Sequence, residues 1–270
     1  MGEIVNNLKL INQKQTLKSN FTGKKKKSFL KFKIKGKINY AGRNNTGKIT
    51  VFHRGGGHKK KYRIINFNRT QASVGIVCSI EYDPNRNSAI AAVFDYNKTE
   101  FFYILAAKNL LVGSVVETGV DVEPKLGNSL PLEKIPVGSF IHSIAPTTFK
   151  KSQISRAAGA FSKLKEKTLR YAVIELSSGE QRYVSPKCYA TLGIVSNEFL
   201  FLKKLYKAGQ SRWLNKKPKV RGVAMNPVDH PHGGGEGKKS GINKTPWGKN
   251  NNRGSTSNSK NKRIIKSVDE

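Results

Sequence analysis

Between residues 75 and 195, apolar residues come in runs of five to eight, and turn signals interrupt them about every ten residues. Gly75 to Tyr82 runs into the turn Asp83-Pro84-Asn85-Arg86, and Ser88 to Tyr96 and Glu100 to Leu105 flank a turn at Asn97-Lys98. Val112 to Glu117 is a further short strand. A second set follows the loop signals of Pro124 to Pro136: Ser139 to Ile144, Tyr171 to Leu176, the hairpin turn Ser177-Ser178-Gly179-Glu180, Gln181 to Val184, and Thr191 to Val195. Short strands with regular turns predict small closed or partly closed β-barrels, here two in tandem dividing near residues 118–128. Ile154 to Lys167 reads as either a helical turn or a strand. Ile49 to Phe52 reads as a short strand and Phe199 to Ala208 as a short helix, after which regular structure is expected to end.

Charge separates this body from its ends. The 270 residues carry 50 Lys+Arg against 17 Asp+Glu, a formal net charge of +33. Residues 1–70 hold 19 basic and one acidic side chain, residues 71–200 hold 14 and 12, and residues 201–270 hold 17 and four. A near-neutral middle between two cationic ends predicts a folded body with arms that need a polyanion. In the first arm Phe29, Phe32, Ile34 and Ile38 alternate with Lys31, Lys33, Lys35 and Lys37, as in an extended segment with one apolar and one cationic side. No apolar run reaches the length of a membrane span. Cys78 and Cys188 lie far apart in strand-like runs and read as reduced thiols.

Two loops concentrate the unusual residues. His53-Arg54-Gly55-Gly56-Gly57-His58-Lys59 follows the turn at Gly42-Arg43-Asn44-Asn45, and Met225 to Gly237 contains Asn226, Asp229, His230, His232 and the triplet Gly233-Gly234-Gly235. Glycine lets a backbone come close to phosphates, and His, Asn, Arg and Lys supply hydrogen bonds and charge. Trp213 and Trp247, in stretches with no apolar core, suit stacking on a partner. Asp229, His230, His232 and Glu236 could offer metal ligands, but Pro231 and the glycines leave no rigid element to orient them. Asp229 beside His230 could orient an imidazole, yet no nucleophile elbow, carboxylate pair or phosphate loop accompanies them. Neither an enzyme nor a protein metal site is expected.

These motifs resemble the ribosomal protein uL2 family, the bacterial-type L2 of the large subunit. The residues that carry the resemblance are Gly42 to Asn45, His53 to Lys59, Glu81 to Arg86, Arg156-Ala157-Ala158-Gly159, Lys207 to Trp213, and Val223 to Gly237, in family order from about residue 40 to about 250. The resemblance implies a mainly β chain: an OB-fold barrel, then an SH3-like barrel, with long basic irregular extensions at both ends. The implied divisions are an N-terminal arm 1–39, an OB-fold rRNA-binding domain 40–122 with its leading Gly-rich loop, an SH3-like barrel 123–200, and a C-terminal extension 201–270.

It further implies a structural role in binding and organising large-subunit rRNA near the peptidyl-transferase region, where RNA is the catalyst. The expected rRNA contacts are Arg43, Asn44, Asn45, His53, Arg54, Gly55, Gly56, Gly57, His58, Lys59, Lys60, Arg63, Arg86, Arg156, Lys207, Arg212, Trp213, Arg221, Asn226, Asp229, His230, His232, Gly233, Gly234, Gly235 and Trp247. Expected partners are large-subunit rRNA, other large-subunit proteins, and the small subunit across the intersubunit face, with no homo-oligomer. No cofactor is expected beyond rRNA-associated Mg²⁺.

The chain departs from the family pattern in its N-terminal arm, at Lys150 to Gln153, and at Asn97 to Phe102. These departures and a Lys-, Asn- and Ile-rich composition are similar to mitochondrial members. The start Met1-Gly2-Glu3 lacks a transit-peptide pattern, which then implies synthesis inside the organelle. A bacterial cytoplasmic ribosome is the alternative.

Overall fold

The computed structural model describes residues 27–236, 243–250 and 264–266. Most of the lysine-rich opening, Gly237, and most of the Asn- and Ser-rich tail lie outside them. The chain forms two compact units: residues 1–37, 60–204 and 262–270 make one, and residues 38–59 and 205–261 the other. The Gly-rich basic loop thus shares a unit with the C-terminal extension.

The first unit is mainly β. Its strands are β1 (Ile34–Gly36), β2 (Lys61–Arg63), β3 (Ser73–Tyr82), β4 (Ala89–Asp95), β5 (Glu100–Leu105), β6 (Val115–Thr118), β7 (Ser129–Pro131), β8 (Phe140–His142), β9 (Ser162–Lys167), β10 (Ala172–Leu176), β11 (Gln181–Val184), β12 (Tyr189–Leu192) and β13 (Ile264–Lys266). β1 pairs with β2, and the other eleven form one sheet ordered β13-β11-β10-β9-β8-β12-β7-β6-β3-β4-β5. The meander β3-β4-β5, with β6 returning beside β3, is the OB-fold part, and β7 to β12 are the SH3-like part. A parallel bridge between Thr118 and Ser129 joins them.

Alternation on β4 explains how the first barrel packs. Ala89, Ala91 and Val93 face one core with Val77, Ile104 and Val116. Ile90 and Ala92 face another with Tyr103, Leu105, Ile65 and Leu30. β3 serves both faces because its register slips at Cys78: Val77 is opposite Val93, whereas Ser79 is opposite Ala92. One bulged residue reverses the side-chain alternation beyond it. Ile80 therefore packs on the first core, while Ser79 and Glu81 turn toward Tyr103.

The second face is closed by the segment before β1. Leu30 is 2% exposed there, whereas Phe29, Phe32 and Ile38 stay at the surface. The expected apolar side of this arm is replaced by a single plug. Glu81, fully buried, accepts hydrogen bonds from Phe29 N–H, Ser79 Oγ and Tyr103 Oη, each at 2.9 Å. Tyr103 Oη in turn accepts from Leu30 N–H at 3.0 Å, and Arg63 Nη2 donates to Ser28 Oγ at 2.8 Å. Burial raises the Tyr103 pKa, keeping it a donor.

Leu130, Leu132, Ile135, Ile141, Ile144, Leu164 and Ile174 form the second barrel's core, with Cys188 among them. The chain leaving β12 is tied to the first barrel by Lys108 N–H to Ile194 O (2.7 Å), Ser196 N–H to Ala106 O (3.0 Å) and Ala89 N–H to Ser196 Oγ (2.9 Å). Of the ambiguous stretch Ile154 to Lys167 only Ser162–Lys167 is a strand, β9, and β7 lies inside the expected loop at Pro124 to Pro136.

The second unit has little regular structure. Ile49 to Phe52 is not a strand, although Ile49 bridges to Arg43. Helix α1 spans Ala208–Trp213, beyond the helix expected at Phe199 to Ala208, whose start is a 3-10 turn at Glu198–Leu202 in the first unit. A 3-10 turn spans Gly222–Ala224 in the second unit.

Candidate nucleic-acid interface

Asn44 organises the first loop of the second unit. Its side-chain oxygen accepts from Thr46 N–H (3.0 Å), Thr46 Oγ1 (2.7 Å) and Lys48 N–H (2.9 Å). That closed turn leaves Arg43 and Asn45 exposed. Gly42, at φ +82°, passes so close to Val51 that a Cβ would lie 2.4 Å from its carbonyl oxygen.

The loop His53 to His58 is laid against residues 213–217. Gly55 N–H donates to Asn215 O (2.8 Å), His58 N–H to Trp213 O (3.2 Å), and Lys217 N–H to His53 O (2.9 Å). Arg54 bridges to Lys216. Two basic stretches about 160 residues apart in sequence thereby become one surface carrying Arg54, His58, Lys59, Arg212, Lys216 and Lys217, all exposed. The three glycines are not equivalent. A Cβ on Gly57 (φ +54°) would overlap Asn215 Oδ1 at 1.5 Å, one on Gly55 would make ordinary contact with Lys217, and one on Gly56 would meet nothing within 4 Å. Only Gly57 is required by the chain's own packing. Lys207 Nζ sits 5.1 Å from the Trp213 ring centre, and Phe52 lies 6.3 Å from Trp247. Both tryptophans remain more than half exposed.

The Met225 to Glu236 stretch is folded around His230, which is 7% exposed. Its ring lies on Gly222, where a Cβ would come within 2.4 Å of Nδ1. Asp229 N–H and His230 N–H both donate to Asn226 O, and Gly233 N–H donates to His230 O. His232 N–H donates to His230 Nδ1 at 3.0 Å, and Lys244 N–H to His232 Nε2 at 2.8 Å. A neutral imidazole accepting at one nitrogen carries its proton on the other. His230 is therefore protonated at Nε2 and His232 at Nδ1, and the accepting nitrogens are closed to a metal. Gly233 and Gly234 are packed against Asn226 and Pro227, whereas Gly235 is open at φ +80°. Arg221, Asn226 and Asp229 are exposed. Among the described residues, no hydrogen bond joins the Asp229 carboxylate to His230, and no three His, Cys, Asp or Glu side chains gather as for a metal.

Four expected contact residues belong to the first unit. Lys60 is partly exposed beside β2. Arg63 serves the fold itself, being 7% exposed with its guanidinium bonded to Lys61 O and Ser28 Oγ. Arg86 donates through Nε to the fully buried Asp83 at 2.7 Å, and its guanidinium lies 5.7 Å from the Phe67 ring centre. Arg156, from a different barrel, lies 4.8 Å from that ring. Phe67 is hidden in the sequence because it looks like one more alternating strand residue. Beside it runs an open groove of about 580 Å³ lined by Lys33, Tyr62, Lys98, Phe102, Lys151 and Arg156. Cationic planes held on aromatic faces are suited to stacking with bases and pairing with phosphates.

Comparison with known proteins agrees with this picture. Residues 31–118 match the model for the RNA-binding N-terminal domain of ribosomal proteins L2, and residues 125–248 match that for their C-terminal domain. The large ribosomal subunit protein uL2m of Reclinomonas americana is 51% identical over 216 residues, covering 78% of either chain. The chain belongs to the ribosomal protein L2 family, whose members are structural ribosomal proteins and not enzymes.

Proposed function

We propose that the chain is a structural constituent of the large subunit of a mitochondrial ribosome, where it binds and organises large-subunit rRNA near the peptidyl-transferase region and supports subunit association. The observation that carries the reading is the make-up of the second unit. It holds 16 Lys and Arg against Asp229 and Glu236. Among its described residues only Gly42, Gly55 and His230 are buried, and no ion pair occurs. A segment with no apolar core and unneutralised charge gains its stability from a polyanion. In this reading Gly56 and Gly235 are places where an RNA backbone comes close, Trp213 and Trp247 stack on bases, Arg156 serves the first unit's groove, and Arg86 contacts RNA from beside Phe67. His230 acts by shaping the loop that carries Asn226, Asp229 and His232. Mg²⁺ would come with the RNA. Neighbouring large-subunit proteins and the small subunit are the further partners.

The test is binding of the full chain to a large-subunit rRNA fragment. Arg156→Ala and the pair Lys216→Ala/Lys217→Ala should each weaken binding while the unfolding temperature stays put. Unchanged affinity in both variants would contradict the proposal.

A further inference from the structure

The open groove of about 580 Å³ beside the first barrel has two chemically different ends. One is cationic. Ser152 N–H donates to Phe67 O at 3.0 Å, which sets Lys151 beside Phe67, and the Arg156 guanidinium lies 4.8 Å from the centre of the same ring. Lys151 and Arg156 are exposed, and among the described residues neither is in an ion pair. A guanidinium resting on a ring keeps its N–H fork for an anion such as phosphate.

The other end is the turn between β4 and β5. Asp95 is opposite Glu100 there, and Lys98 Nζ donates to Gln71 Oε1, which draws residue 71 to the turn. Asp95 is buried and its Oδ1 accepts from Asn97 N–H at 3.0 Å, so this carboxylate serves the turn. Glu100 is exposed and, among the described residues, in no ion pair. Phe102 is two residues further along β5, hence on the same side as Glu100, and it is half-buried in the groove wall.

This polarity decides what fits. A continuous phosphate backbone would have to pass Glu100, which repels it. A single nucleotide entering lengthwise avoids that, because its phosphate stays at the cationic end while its base reaches the apolar face of Phe102. An ionised carboxylate only accepts hydrogen bonds, and the amino group of a base donates them. The volume lies within the roughly 300–1,000 Å³ of small-ligand sites, enough for a nucleotide and too little for a double helix.

We propose that this groove holds one unpaired RNA nucleotide, with its phosphate at Lys151 and Arg156 and its base against Phe102 and Glu100. The inference rests on the RNA-binding reading and narrows it to a nucleotide turned out of its helix.

Ultraviolet crosslinking of the full chain to a large-subunit rRNA fragment, with mass spectrometry of the crosslinked peptide, tests it. The expected adduct joins an unpaired base to the peptide that carries Phe102. Binding without that adduct, or an adduct to a paired base, overturns the inference and leaves the RNA-binding reading standing. A second readout is the affinity of Glu100→Lys for the same fragment. Added positive charge would tighten binding if phosphates lined that end. The inference instead expects binding about fivefold weaker, because the acceptor for the base is lost. Glu100→Ala, which adds no charge, should weaken binding in the same direction should the lysine variant not fold. Equal or tighter binding in these variants overturns the inference. A wild-type chain that does not bind the fragment at all overturns the RNA-binding reading and the inference with it.

Discussion

At the residue scale, burial of a titratable ring has a measurable consequence. His142 is 1% exposed, and its pKa is lowered to about 4, first by desolvation and also by nearby Arg69. An unfolded histidine titrates near ~6.5. Between those values the unfolded chain binds the extra proton, so stability is full above pH ~6.5 and declines as pH falls toward 4. The total is about 3 kcal/mol. Urea titrations of wild type and His142→Gln across that window should converge as pH falls; parallel curves would contradict the assignment. The glycines of the His53 to His58 loop give a second contrast. Gly57→Ala should remove hydrogen-exchange protection from the Gly55 and His58 amides, since a Cβ would displace Asn215. Gly56→Ala should leave them protected yet weaken RNA binding about tenfold, the equivalent of ~1.4 kcal/mol. Equal effects of the two substitutions on protection would show that the chain's own packing does not distinguish them.

At the element scale, the plug before β1 and the bulge in β3 hold the OB-fold barrel. Leu30→Ala should cost about 3 kcal/mol, as large-to-small core changes do. Removing residues 27–37 should cost more, because Glu81 and Tyr103 would lose backbone partners inside a closed face. Comparing the unfolding of residues 27–204 with residues 38–204 checks this; equal midpoints would show that the plug is idle. These elements also mark what could be read from the sequence. β5 and β11 fall where alternation and turns placed them, and β3, β4 and β10 within two residues, because each has both signals. β9 reads Ser-Lys-Leu-Lys-Glu-Lys, with only Leu164 as a large apolar residue, so periodicity says little. β7 is three residues long and runs into a 3-10 turn. The Cys78 bulge is invisible because Gly75 to Tyr82 keeps an unbroken strand-like composition, while the slip shows only in its pairing with β4. Leu30 is masked because the neighbouring Phe–Lys alternation gives a stronger but misleading pattern.

At the scale of the whole molecule, the charge division is legible from composition, but the joining of residues 53–58 to 213–217 is not. Those contacts are backbone hydrogen bonds and glycine clearances, which leave no hydrophobic pattern. The role of His230 is hidden for the same reason: its neighbours are Gly222 and its own loop's amides. The unneutralised second unit predicts strong salt dependence of RNA binding. Each phosphate neutralised contributes ~0.7–0.9 to the log–log slope, so six contacts give about −4 to −5. A slope near zero would mean that the basic surface is not in the interface.

The most direct test of the central claim is sedimentation of a cell or organelle extract through a sucrose gradient, with the chain followed by antibody. The account predicts that it travels with the large ribosomal subunit and stays there until high salt strips it. A chain that remains at the top of the gradient under low salt would contradict the account.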